Sequence, residues 1–419
     1  VGAGGAKDSG VDSVAGVATG PGPEGDPAMP TTTRLLALTA VLALCAPGGS
    51  AAAGPPGGVP AGAAGERGYL VRVRPEVAPE SVAGVLGVRP RFVYRTALTG
   101  FAASLTPAQA EQARGAAGVV GVEPDAVVGV AQAPAARRRV GPAVASWGLD
   151  RIDQRDLPLT GTFTVGHDGA PVSVYVIDTG VEVGHAEFGG RAAVGVDVVG
   201  DGRAGADCHG HGTHVAGTVG GATAGVARRV RVVGVRALGC DGRGSWAGLV
   251  AALDWVAGHA VAPAVAVVGV AGVPGSVVVD AAADAVAARG VFVVVAAGDE
   301  GTPACTASPG RAAGVLTVGS TTRQDGDAEQ SNYGGCVQLL APGVQIVSAR
   351  VGGGLGVMSG TAVAAGHVAG VAALYKQAHG EVDQAGLRAW LFDQASVDRI
   401  RHPAPTADTV NRLLHTGGL

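Results

Sequence analysis

The sequence predicts an α/β protein, a parallel sheet with helices on both faces, preceded by a small α+β unit. Two observations carry this. From Trp147 onward, unbroken apolar runs alternate with stretches of helical spacing, and that alternation builds a parallel sheet covered on both faces. Before it, residues 65–131 give strands and helices in the order βαββαβ, a small sandwich. At 419 residues the chain has room for both units and a large core. Aromatics are scarce and Ala, Val and Gly abundant, so small and β-branched side chains must form close helix-on-sheet layers.

Residues 1–28 lack apolar periodicity and are read as an upstream extension of doubtful translation. From Met29, a short region with Arg34, an apolar stretch Leu35 to Ala46, and the small residues Ala51 to Ala53 read as a secretory signal peptide over 29–53. The apolar stretch is too short for a bilayer, which needs roughly 20 residues. The mature chain is therefore expected outside the cell and free of membrane.

Within 65–131, "GYLVRVRP" alternates like a strand, "PESVAGVLG" is helical, and "RFVYRTALTGFAASL" gives two strands. "TPAQAEQARGAAG" opens with Thr106 as N-cap and Pro107 at the first helical position, and leads into a final strand, "VVGVEPDAVVGV". Residues 132–146, Pro- and Ala-rich around Arg137-Arg138-Arg139, read as an exposed linker. In the remainder, 147–419, "VSVYVID", "AVAVVGV" and "VFVVVAAG" suit buried parallel strands, with helices opening at Ser245 and closing at Gly290 between them. Ligands of such sheets bind at the carboxyl ends of the strands.

The charge balance, 30 basic against 34 acidic residues, provides no field for nucleic acid. Besides Cys45 in the presumed signal there are Cys208, Cys240, Cys305 and Cys336. An even count in an exported chain favours two disulfides, with three pairings open.

Three short stretches bear on chemistry. Asp178 ends an apolar strand in "VYVIDTG", where a carboxylate can emerge into a cleft. In "DCHGHGTHVAGTVGG", Gly210 and Gly212 bracket His211 at the mouth of a helix read from Thr213, partly exposed and placed to act as a base. A metal reading of His209, His211 and His214 lacks a joining carboxylate and a known ligand spacing. "SGTAVAAGHVAGVAAL" is a glycine turn feeding a tightly packed helix, the kind of platform that presents a nucleophile, yet the presenting position is Ala362.

Together, "VIDTGVEVGHAEFGGRA", "GHGTHVAGTVGG", "AAGDEGTPACTASPGRAAGVLTVGS", "SNYGGCVQLLAPG" and "MSGTAVAAGHVAGVAALY" resemble the subtilisin-type serine proteases, closest to the proteinase K and aqualysin branch. The likeness covers about 147–419, and the first unit resembles the inhibitory propeptide of that family. It implies Asp178 as the residue that orients the histidine, His211 as general base and Ala362 at the nucleophile position. There the family reads Gly-Thr-Ser-Met-Ala and this chain Gly360-Thr361-Ala362-Val363-Ala364. Asp299 stands where the family supplies an Asn to the oxyanion, Gly269-Val270-Ala271-Gly272 where it has a substrate-lining Ser-Leu-Gly-Gly, and Gly366 where a Pro is usual.

The resemblance pairs Cys208 with Cys240 and Cys305 with Cys336, each worth roughly 3–4 kcal/mol on a loop-entropy basis. It calls for no cofactor in the chemistry and admits structural calcium, although Thr322 replaces an acidic residue common at one such site. The expected partners are peptides and the chain's own propeptide in the cleft, on a monomer. Family membership alone implies a serine endopeptidase. The missing hydroxyl implies a pseudoprotease, against the alternatives of an unrecognised nucleophile or a non-catalytic protein whose cleft its own first domain fills.

Overall fold

The computed structural model describes residues 65–131, 139–140, 146–402 and 406–419. The upstream extension, the signal peptide and most of the linker lie outside the described residues.

The first unit forms β1 (Arg67–Val73), α1 (Pro79–Leu86), β2 (Phe92–Tyr94), β3 (Gly100–Leu105), α2 (Pro107–Gly115) and β4 (Val119–Pro124). The strands pair in the order β2-β3-β1-β4. Alternation along β1 divides its side chains: Val71 and Val73 join Val82, Leu86 and Phe101 beneath the two helices, while Leu70 faces the rest of the protein. Thr106 caps α2 as expected, its Oγ1 accepting from Gln109 N–H at 3.2 Å while Gln109 Oε1 accepts from Thr106 N–H at 2.9 Å.

One expectation changes. The last strand breaks after Pro124, and Val127–Val130 leaves the sheet as a separate strand, β5. At the break, Asp125 N–H donates to Gly68 O. Beyond it, β5 pairs with two short strands of the larger unit.

That unit begins with β6 (Arg139–Val140), α3 (Trp147–Ile152), β7 (Ser173–Asp178), β8 (Ala192–Asp197), α4 (His211–Gly220) and β9 (Arg231–Arg236). Next come β10 (Arg243–Ser245), α5 (Trp246–His259), β11 (Ala264–Val268), β12 (Val270–Ala271) and α6 (Val277–Ala288). The chain continues through β13 (Phe292–Ala296), β14 (Leu316–Thr321), β15 (Leu339–Pro342), β16 (Ile346–Ala349) and β17 (Leu355–Met358). It closes with α7 (Thr361–His379), α8 (Gln384–Gln394), β18 (Ser396–Val397) and β19 (Arg412–Leu413).

Nine strands form one sheet in the order β18-β19-β15-β14-β13-β11-β7-β9-β8, parallel except for the β18–β19 pair. Both faces are covered: Val174 and Val176 of β7 pack with α4 and α7, Tyr175 and Ile177 with α5 and α6. The continuous apolar runs follow from this double burial. On α3, the wholly buried Arg151 forks onto Asp325, Nε to Oδ1 at 2.7 Å and Nη2 to Oδ2 at 3.0 Å, and donates from Nη1 to Gln154 O at 2.8 Å.

The first unit rests on α5 and α6. Tyr94 Oη donates to Ala247 O (3.0 Å), and Ala247 N–H donates to Asp125 (3.0 Å). Ser276, the N-cap of α6, donates to Glu123 Oε2 (2.7 Å). Asp254 accepts the backbone N–H groups of Arg95, Thr96 and Ala97 at 3.2, 2.7 and 2.7 Å. Asp254→Ala strands three donors and is expected to weaken this docking by about 2–3 kcal/mol, seen as faster amide exchange at residues 95–97 with the β7 core unaffected.

Candidate active site

The site lies at the carboxyl end of the central strands, where parallel sheets bind ligands. Asp178 is the last residue of β7, and His211 the first of α4. The intervening loop is tied down by Asp207, which accepts N–H groups of His209, Gly210 and Thr213 at 3.0, 2.8 and 2.9 Å and the hydroxyls of Thr179 and Thr213. Gly212 explains the second bracketing glycine: an added Cβ would lie 2.2 Å from Gly180 O. These constraints bring His211 Nδ1 to 2.8 and 2.9 Å from the two oxygens of Asp178.

The sequence places His211 partly exposed and ahead of its helix; in the structure it is wholly buried and begins the helix. Gly269, the residue after β11, lies against the pair. A Cβ there would stand 3.4 Å from His211 Cε1 and 2.0 Å from Asp178 Oδ2, so only glycine leaves the carboxylate its present place. Burial disfavours the imidazolium, but the charge and hydrogen bond of Asp178, aided by Asp207 and Asp299, outweigh it and raise the His211 pKa. The other nitrogen, Nε2, is buried with no hydrogen-bond partner.

Ala362 lies in the first turn of α7 and is wholly buried. The neighbouring hydroxyls are engaged elsewhere: Ser359 Oγ accepts from Gln345 N–H at 2.9 Å, and Thr361 Oγ1 from Gly298 N–H at 3.1 Å. Asp299 reaches the same helix end, its oxygens accepting from Thr361 N–H at 3.0 and 3.1 Å. Burial, with a smaller push from Glu300, raises its pKa to about 7 against the pull of the Thr361 bond.

The folded state therefore holds a proton on Asp299 that the unfolded chain releases near pH 4. Between about pH 4 and 7 the folded form binds more protons, so this group makes stability fall as pH rises through that window. Asp299→Asn should flatten the dependence, measured as the difference in urea midpoint between pH 5 and pH 8.

The three histidines of the metal reading diverge. His214 Nε2 bonds Ile346 O at 3.1 Å, and burial first, then the nearby His211, lowers its pKa to about 3. Among the described residues no three His, Cys, Asp or Glu side chains converge on a point. Thr322, at the questioned calcium position, closes a local turn by accepting from Gly326 N–H at 3.0 Å. Both disulfides form, Cys208–Cys240 beside the His211 loop and Cys305–Cys336 after Asp299.

Gly269 to Gly272 form one cleft wall, Val270 and Ala271 pairing antiparallel with Val130 and Gly129 of β5. The opposite wall, β10, pairs Arg243, Gly244 and Ser245 with Gly129, Val128 and Val127. Sequence reading misses this second wall; the glycine-spaced "GRGS" between a strand and a helix is its only signal. Two further bonds fix the register: Val130 N–H to Gly242 O at 3.0 Å and Ala131 N–H to Gly269 O at 3.1 Å. The tail of the first unit thus threads the cleft as its central strand and delivers Ala131 to the side of the Asp178–His211 pair.

Comparison with known proteins agrees with this geometry. The model of the subtilase family matches residues 169–417, and that of peptidase inhibitor I9 matches 86–131. An alkaline serine exoprotease A of Vibrio alginolyticus is 42% identical over 80% of this chain, which spans 62% of that protein's length. An extracellular serine proteinase of a Thermus species is 43% identical, with 70% of each chain covered. The crystal structure of a cold-adapted subtilisin-like serine proteinase superposes with a TM-score of 0.63 at 46% identity, over 65% of this chain and 98% of that one. With its mostly parallel sheet, its Asp–His pair and an inhibitor-type unit laid through the cleft, the chain belongs to the subtilase family.

Proposed function

We propose that this is an exported subtilase, made with its own inhibitory propeptide, that lacks the catalytic serine and binds peptides in its cleft without forming an acyl-enzyme. One observation carries the reading. Ala362 occupies the start of α7 where the resemblance assigns the nucleophile, and the hydroxyls on either side serve backbone amides instead. Export is supported by the two disulfides and by relatives such as the extracellular proteinase of Thermus; among the described residues no helix is long and apolar enough to cross a membrane. Peptide binding calls on no cofactor, and any calcium would serve structure alone.

In a competent relative of this geometry, His211 would take the serine proton while Asp178 held its tautomer. Here Nε2 has no hydroxyl to deprotonate. Intact mass of the precursor, refolded with no other protease present, tests the proposal. The expected result is an uncut chain with both disulfides formed. A cut at Ala131–Gln132, the bond that follows the seated tail, overturns it.

A further inference from the structure

The two disulfides differ in what surrounds their sulfurs. Arg236, the last residue of β9, is wholly buried. Its Nε donates to Thr179 O at 3.3 Å, Nη1 to Asp197 Oδ2 at 3.0 Å and Asp201 Oδ1 at 2.5 Å, and Nη2 to Asp201 Oδ2 at 2.8 Å. A guanidinium has five N–H groups, and the one left over meets sulfur: Nη2 lies 3.5 Å from Cys208 Sγ and 3.9 Å from Cys240 Sγ. A disulfide sulfur is a weak acceptor, whereas a thiolate beside a fixed cation is strongly favoured. Cys305–Cys336 receives no such donor among the described residues, and Cys336 packs against the apolar cluster of Val337, Leu340 and Leu413, surroundings that disfavour a thiolate.

We propose that Cys208–Cys240 is a thiol-exchange site, at which a small neutral thiol attacks the exposed Cys240 and expels Cys208 as a thiolate held by Arg236. The incoming thiol loses its proton to solvent and forms a new S–S bond to Cys240, while the old bond breaks with its electron pair on Cys208. A second thiol then frees Cys240, so two external thiols are oxidised to one disulfide as the protein's bond is reduced. Cys240 is the sulfur attacked because it is exposed and Cys208 half-buried. The reagent is neutral because Asp197 and Asp201 share the guanidinium and would repel an anion.

Both ends of this bond reach the cleft. Cys208 follows Asp207, which ties down the loop into His211, and Arg236 also holds the carbonyl of Thr179, the residue after Asp178. Cys240 lies in the turn that leads into β10, closed by Gly242 N–H to Gly239 O at 3.0 Å, and Gly242 O accepts from Val130 N–H of β5. Opening the bond therefore loosens the β10 wall and, with it, the seat of the tail. Nothing in this depends on what residue 362 supplies.

The test treats the full native chain with 2-mercaptoethanol, traps freed thiols with iodoacetamide and locates both by peptide mass mapping. Cys208–Cys240 should open at least about 10-fold faster than Cys305–Cys336, because a cation-stabilised thiolate is the better leaving group. The mercaptoethanol adduct should sit on Cys240 and the alkyl label on Cys208. In the opened chain, the pH at which alkylation of Cys208 reaches half its maximum should lie below that of the same cysteine in urea, and Arg236→Gln should remove the difference. Amide exchange at Val130 should quicken on opening while that at Val176 of β7 stays unchanged.

Equal opening of the two bonds, an adduct on Cys208, or the same alkylation profile folded and in urea overturns the proposal. Unchanged exchange at Val130 overturns its link to the cleft. If Arg236→Gln does not fold, the rate ratio, the adduct position and the alkylation profile are all read from the wild-type chain.

Discussion

Ala362→Ser alone is expected to cut the precursor at Ala131–Gln132. The geometry that the proposed reading calls for is present: Asp178 lies 2.8 Å from His211, Nε2 is unpartnered, and the tail is already threaded between β10 and β12. In subtilisin, a member of this family whose measured values set the scale here, losing the serine costs about 10⁶ in rate. Losing an oxyanion donor there costs about 10²–10³. On the proposed reading, a hydroxyl at position 362 should recover most of that rate, and Asp299→Asn in the same chain should recover the rest. Time-resolved intact mass would show cleavage that is slow in the single variant and about 10²-fold faster in the double. Silence from both would place the defect in the walls, with Gly269 the first suspect, because the Asp178 carboxylate occupies the volume a side chain there would need.

The largest loss of stability is expected from Asp325→Ala. Arg151 is wholly buried, and its guanidinium has Asp325 as its one anionic partner among the described residues, through two short bonds. Removing that carboxylate leaves a buried charge uncompensated, at a cost of about 3–5 kcal/mol. Pairing the change with Arg151→Met removes both charges and should recover most of the loss, since a buried pair exchanged for apolar side chains is often near neutral. Urea unfolding of wild type, single and double variants checks this. A single-variant loss under about 1 kcal/mol would show that water reaches the guanidinium.

What the sequence made legible is what neighbouring residues dictate. The Gly210-His211-Gly212 bracket, the Thr106 cap and the apolar run into Asp178 each state a local constraint, and the structure obeys them. The disulfide pairing became readable only through the resemblance, because spacing permits three pairings. Two features escaped because their causes are distant in sequence. β5 leaves its own sheet because β10 and β12, more than a hundred residues away, offer two unpaired edges. His211 is buried beside Gly269, a residue whose local sequence says nothing of what lies against it.

The threaded tail also has a consequence for mass action. While the linker is intact, β5 is held near its seat at an effective concentration in the millimolar range or above, independent of how dilute the protein is. A free peptide must outcompete that local excess. One cut in the linker, for instance by a basic-specific protease at Arg137-Arg138-Arg139, removes none of the strand pairing of β5 with β10 and β12, yet it makes the tail a dissociable species. From then on dilution governs occupancy: the first unit stays bound in a concentrated solution and departs in a dilute one, and the cleft opens through a cut made by another protease.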